Sequence, residues 1–213
     1  MLLLLTGDVQ IGKTRWLQKA VAFLEQAGIS CQGVLAPGTW VEKDDGSLDK
    51  TGIDNLLLPG HEIVPFARRA DIAQKSGCFD AESQAAKAGL KWHISDDAIA
   101  RVNEHFRMLR TGEAARNQND ERASRVDGKA ILFIDELGQL ELLRDEGLTE
   151  AVSLLAQGPR DAYEHAIVIA RDKFGLPEYV EDRFGAIWGG SVRISPDDAA
   201  WQTWIEPLVE NRA

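Results

Sequence analysis

Residues 2–14 read Leu-Leu-Leu-Leu-Thr-Gly-Asp-Val-Gln-Ile-Gly-Lys-Thr, and this stretch decides the fold. Leu2 to Leu5 is an apolar run of strand length. Gly7 to Thr14 fits the phosphate-binding pattern G-x-x-x-x-G-K-[ST] at every fixed position, and Lys13 to Ala27 has the length of a helix. Strand, glycine loop and helix start, in that order, are the context this motif requires.

Chemistry explains the spacing. Gly7 and Gly12 let the backbone turn without a Cβ in the way. The turned backbone points N–H groups inward as a nest for phosphate oxygens, and the helix N-terminus adds its positive dipole end. Lys13 reaches the β- and γ-phosphates as a compact charge, and Thr14 offers a hydroxyl to Mg²⁺. The expected nucleotide-binding set is Gly7, Asp8, Val9, Gln10, Ile11, Gly12, Lys13, Thr14 and Arg15. A chance glycine turn is the bland alternative, and a second motif weighs against it.

That second motif is Ile131-Leu132-Phe133-Ile134-Asp135-Glu136, a hydrophobic strand ending in two acids. Beside a phosphate loop, Asp135 would hold Mg²⁺ through its water shell, because Mg²⁺ keeps several waters. Glu136 would sit near the γ-phosphate, where it can orient or deprotonate an attacking water. Alone, such a strand is as readily a solvated acidic turn.

Outward from these anchors the chain alternates strands and helices. Trp16, Leu17, Ala20, Val21 and Leu24 give the first helix an apolar face, and Gly28 is a C-terminal stop. A strand is expected within Ile29 to Ala36. Thr39 to Val41 and Gly52 to Leu58 suit a hairpin turned at Asp45-Gly46, and Ile63 to Phe66 suits a short strand that Pro65 marks as an edge. Residues 68–94 read as an insert, helical or looped. Ser95 caps a helix over Asp96 to Arg110 with Ile99, Val102, Phe106 and Leu109 on one stripe. Residues 111–129 read as a long polar loop. Glu146 to Gln157 is helical, Ala166 to Ala170 a strand and Pro177 to Arg183 a short helix. A final strand falls within Ala186 to Ile194, and Ser195-Pro196 opens the last helix. The pattern implies one α/β domain over residues 1–213, a mostly parallel sheet with helices on both faces and an early β-hairpin insertion.

Asp135-Glu136-Leu137-Gly138-Gln139-Leu140-Glu141-Leu142, together with the loop at Gly7, resembles a small nucleoside-triphosphatase family first known from thermophiles. The segments Gly33-Val34-Leu35 and Thr51-Gly52-Ile53-Asp54 are similar too, and the likeness covers close to the whole chain. Two departures stand out: Lys50 precedes Thr51 where the family usually has an arginine, and Asp197-Asp198 occupies the region of a usual Asn-Arg pair. The resemblance implies a three-layer P-loop fold and Mg²⁺-dependent hydrolysis of ATP, GTP and other nucleoside triphosphates with loose base preference.

Composition bounds the remainder. A chain of 213 residues, 44% hydrophobic, can build a substantial core. Its 24 basic and 34 acidic residues leave a net charge of −10, which argues against a broad nucleic-acid surface. Cys31 and Cys78 have no metal or redox spacing, as expected of a cytoplasmic protein. The opening leucines lack a basic flank and stop at Gly7-Asp8, short of a signal peptide. No stretch approaches the roughly 20 apolar residues of a membrane span.

Lesser candidates have plain rivals. Glu141 either supports the metal site or caps the following helix, with the structural role favoured. Arg171, at the end of the strand Ala166 to Ala170, can stabilise the γ-phosphate or form a surface salt bridge. Arg68-Arg69 is a weaker source of such a charge. His61-Glu62 lacks the second histidine of a zinc helix, and Trp201 and Trp204 read as core. The catalytic set is thus Lys13, Glu136 and Arg171, with Thr14 and Asp135 at the metal. Two other functions use the same loop: a kinase passing the γ-phosphate to a nucleoside, nucleotide or small alcohol, and a nucleotide-gated protein that binds a protein partner through its inserts.

Overall fold

The structure, a computed structural model, describes residues 1–113, 128–210 and 212. Leu2–Leu5 (β1) forms as expected, with all four leucines fully buried. It lies between two parallel neighbours, Tyr163–Ala170 (β8) and Ser191–Ile194 (β9). A strand so enclosed has no solvent face, which is why it is continuously apolar rather than alternating. Leu2 and Leu4 join the core that Val102, Phe106 and Leu109 of the helix Asp96–Thr111 (α4) close from one face. Leu3 and Leu5 meet Leu17, Ala20, Val21 and Leu24 of Lys13–Gln26 (α1) on the other. Each buried leucine contributes roughly 1.5–3 kcal/mol before chain entropy is counted.

Helices therefore cover both faces. With α4 lie Gln139–Leu143 (α5), Thr149–Gln157 (α6) and Leu176–Phe184 (α7). With α1 lies a terminal segment made of Asp198–Ala200 (α8), a π-helical turn Trp201–Ile205 and Glu206–Glu210 (α9). Trp201 and Trp204 pack against this second core, and Trp201 meets Trp16 edge-on at 5.7 Å between ring centroids.

The sheet is mixed. Its parallel half runs β9, β1, β8, Ala130–Leu137 (β7) and Cys31–Leu35 (β2). Beyond β2 comes an antiparallel wing of Leu48–Leu58 (β4), Glu62–Arg69 (β5) and Trp92–Ile94 (β6), with Gly38–Glu42 (β3) pairing β4 separately. The expected hairpin is thus part of a four-stranded extension. Gly33 makes the junction strand possible. Its φ is +115°, and a Cβ there would overlap the carbonyl oxygen of Phe133 on β7. Only glycine combines that backbone with so close an approach.

Several expectations need correction. Pro65 does not mark β5 as an edge along its whole length. It faces Asp54 at a bulge in β4, while β6 pairs β5 only from Ala67 onward, so the proline falls where the outer side has no partner. The insert 68–94 holds two short helices, Ala70–Lys75 (α2) and Gln84–Lys87 (α3), before β6. Helix α6 begins at Thr149 rather than Glu146, because Gly147 at φ +68° breaks the chain there. Residues 186–190 are turns, leaving β9 to start at Ser191. The terminal segment is capped by Asp197, whose carboxylate accepts from Ala200 N at 2.8 Å, rather than opened by Ser195-Pro196. Of the polar loop expected over 111–129, residues 114–127 lie outside the described residues. Among the described residues no helix is long and apolar enough to cross a membrane.

Candidate functional site

The C-terminal ends of β1, β8, β7 and β2 open on one cavity of about 550 Å³. In open α/β sheets this is the crevice where ligands bind. After β1 the chain turns through Gly7 (φ +120°), Gln10 (φ +67°) and Gly12 (φ +98°) before α1 starts. Gly7 is filled against by Ile11 Cδ1, 2.5 Å from where a Cβ would lie, whereas nothing stands within 4 Å of a Cβ at Gly12. Among the described residues, Asp8 to Gly12 donate no backbone hydrogen bond within the chain. Lys13 Nζ donates to the carbonyls of Gly7 and Asp8, both at 2.7 Å, which ties the loop into a ring. An ammonium has three N–H groups, so one is left for a ligand. Burial lowers the Lys13 pKa, opposed by the nearby charges of Glu136, Asp135 and Asp8.

Of the nine loop residues expected at the site, eight line the cavity, including Arg15. Ile11 does not, and its side chain is half exposed. Val9 is also largely exposed, so the loop contributes backbone there rather than side chain.

Asp135 lies near the end of β7 and is buried. Its Oδ1 accepts from Thr14 Oγ1 at 3.3 Å and its Oδ2 from Ala36 N at 2.9 Å. Burial pushes its pKa up to about 6, despite both hydrogen bonds. Glu136 follows at φ +82°, where β7 breaks register with β8 between Ile134 and Leu137. A non-glycine residue held there costs of order 1–3 kcal/mol, and such strain gathers at functional sites. The twist aims the Glu136 side chain at Arg171, and the two form an ion pair. Arg171 arrives there because β8 lies between β1 and β7, so its end sits between the loop and the two acids.

Glu141 is spent on structure. Its Oε2 accepts from Gly138 N at 2.9 Å and its Oε1 from Leu148 N at 3.1 Å, fixing the turn after β7. Arg68 pairs with Asp54, and Arg69 with Asp49 and Asp71; neither lines the cavity. His61 pairs with Glu25.

Sequence reasoning gave the opposite wall no site role, although Lys50 and Ile53 flank the Thr51-Gly52 segment of the family likeness. Pro37, Gly38 and Trp40 from the start of the wing, Lys50 and Ile53 from β4, and Trp92 from β6 all face the loop across the cavity. No motif joins them, since their proximity depends on strand register. Gln18 was within reach of inference, four residues after Thr14 on the same face of α1. The cavity lining carries five basic residues (Lys13, Arg15, Lys50, Arg171, Lys173) against four acids (Asp8, Asp135, Glu136, Asp172), in a chain whose net charge is −10. A local cationic surplus on an acidic protein favours an anionic ligand.

The arrangement offers a ring of N–H donors, a lysine behind them, a hydroxyl–carboxylate pair, and a strained carboxylate with an arginine partner. Comparison with known proteins adds nothing to this: no family model, no curated protein and no solved structure matches the chain.

Proposed function

We propose that the chain is a P-loop nucleoside triphosphatase that hydrolyses ATP, GTP and related triphosphates to diphosphate and phosphate. One observation carries the reading. Lys13, Thr14, Asp135, Glu136 and Arg171 come from three strand ends far apart in sequence, yet line a single cavity. The likeness to the thermophile nucleoside-triphosphatase family is specific only in the two phosphate-site motifs.

Among the described residues no three or more His, Cys, Asp or Glu side chains gather as a metal site. The donors present are the Thr14 hydroxyl and the Asp135 carboxylate, already 3.3 Å apart. Such a pair of hard oxygens fits Mg²⁺, which keeps its waters and takes its other ligands from phosphates. Bound there, Mg²⁺ would neutralise charge on the β- and γ-phosphates.

The residues divide the work. Backbone N–H groups of Asp8 to Gly12 hold phosphate oxygens, and Lys13 adds the remaining N–H of its ammonium. Glu136 orients a water and takes its proton as the water oxygen bonds to the γ-phosphorus and the bridge to the β-phosphate breaks. Arg171 is held by Glu136 without substrate. An incoming γ-phosphate competes for the guanidinium and frees the carboxylate for water.

Phosphate release with Mg-ATP, Mg-GTP, Mg-CTP and Mg-UTP tests this, beside Lys13→Ala. Steady release that vanishes in the variant supports the reading. Nucleotide binding without release would replace hydrolysis by the kinase reading, for which Trp40, Ile53 and Trp92 furnish an acceptor wall; phosphate appearing on an added alcohol would then decide it.

A further inference from the structure

The antiparallel wing places one cation on the cavity that the loop motifs do not explain. Lys50 lies on β4 opposite Trp40 on β3. Its Nζ sits 5.5 Å from the centroid of the Trp92 ring on β6. A Cβ at Gly38 would lie 2.7 Å from Lys50 Cε and 3.3 Å from Nζ, so the missing side chain there is what lets the lysine run along the wall. Three features from two strands, Gly38 and Trp40 of β3 and Trp92 of β6, thus hold one ammonium in place. It is half-buried, and among the described residues it has no carboxylate within salt-bridge distance. Burial lowers its pKa, opposed by the charges of Glu136 and Asp135 and reinforced by that of Arg171.

The order of strands says where this charge points. If a triphosphate binds in the Gly7 loop with its metal at Thr14 and Asp135, its terminal phosphate would lie on the β7 side, where those two residues meet. Lys50 lies on that side, beyond β2, while Lys13 approaches from β1 and Arg171 from β8 between them. A half-buried cation on a fixed stem, facing the point where negative charge develops, stabilises a phosphoryl-transfer transition state without reorganising.

We infer that Lys50 is a catalytic residue that contacts the γ-phosphate from the wall opposite Lys13, supplied by the same chain that carries the phosphate loop. The role rests on the triphosphate reading of the site. The plainer role for Lys50 is to pack on Trp92, and a cation–π contact needs no nearby Asp135 or Glu136.

Two variants and two readouts separate these. Lys50→Met keeps an unbranched stem over Trp92 and deletes the charge; Lys50→Arg keeps the charge. With Mg-ATP, Lys50→Met is expected to lower kcat by about 100-fold and to raise KM about tenfold, and Lys50→Arg to remain within about tenfold of the parent on both. By calorimetry, Lys50→Met should weaken ATP binding about tenfold and leave ADP binding unchanged, because ADP lacks the phosphate concerned. Unchanged kcat and an unchanged ATP-to-ADP ratio in Lys50→Met, with only a lowered melting temperature, overturns the inference. The failures stay distinct. Lys13-dependent phosphate release that ignores Lys50→Met sinks the lysine role and keeps the hydrolase. No release from the parent, with the ATP-to-ADP ratio still lost in Lys50→Met, sinks the hydrolase and Lys50's part in hydrolysis and keeps its γ-phosphate contact.

Discussion

The two halves of the sheet face the same cavity and build it by opposite means. The parallel half, β9-β1-β8-β7-β2, presents the ends of strands, so its contributions are turned backbone and the first side chains after each strand: the Gly7 loop, Asp135-Glu136 and Arg171. The antiparallel wing of β3 to β6 presents side chains from the strands themselves, namely Trp40, Lys50, Ile53 and Trp92. Chemistry that depends on a strand end is written as a contiguous motif. Chemistry that depends on which residues lie opposite each other across a ladder is not. One half is therefore readable in one dimension and the other only in three.

The largest expected effect breaks the parallel half. Lys13→Ala removes the ammonium that ties Gly7 and Asp8, and on the proposed function should lower turnover about 10³–10⁴-fold in a phosphate-release assay. Next, Glu136→Gln should lower kcat about 10²–10³-fold while calorimetric ATP affinity stays within a few-fold. Normal turnover in that variant would show that Glu136 is not the base.

The junction between the halves is a matter of stability. Gly33→Ala forces a Cβ onto Phe133 O from a left-handed backbone, and should cost about 3 kcal/mol by denaturant unfolding. Gly12→Ala meets nothing within 4 Å, so it should cost about 1 kcal/mol of stability, its harm falling on ligand binding instead. Equal losses at the two glycines would erase the distinction between a fold glycine and a site glycine.

Asp135 gives a pH dependence of known sign. Burial raises its pKa from 3.8 in the unfolded chain to about 6 in the fold. The folded state then holds a proton that the unfolded state has released. Its contribution to stability is full below pH 3.8 and is lost as pH rises through 6, by roughly 3 kcal/mol at most. Thermal melts at pH 5 and 7 should show this slope, reduced in Asp135→Asn. On the proposed function, magnesium-dependent ATP binding would need the carboxylate ionised and should strengthen with the opposite slope, from pH 5 to 7. The smallest effect sharpens the boundary of the wing: Arg69→Ala, whose partners are Asp49 and Asp71 outside the cavity, should leave turnover within about twofold.

By itself the sequence determined the parts whose causes are local. Four leucines flanked by a glycine loop give a doubly buried strand, a turn and a helix start, because the turn's φ values and the apolar run are properties of adjacent residues. The strand ending in Asp135-Glu136 was legible for the same reason. Where a glycine or a cap interrupts the chain, boundaries shifted: α6 waits for Gly147 to pass, and Asp197 takes the capping role expected of Ser195. The tertiary structure alone decided that β8 lies between β1 and β7, which brings Arg171 to Glu136. It alone set Lys50 against Trp92, and the wing against the loop. Those placements are fixed by sheet order and register, which arise from packing summed over the whole core and leave no mark at any short spacing along the chain.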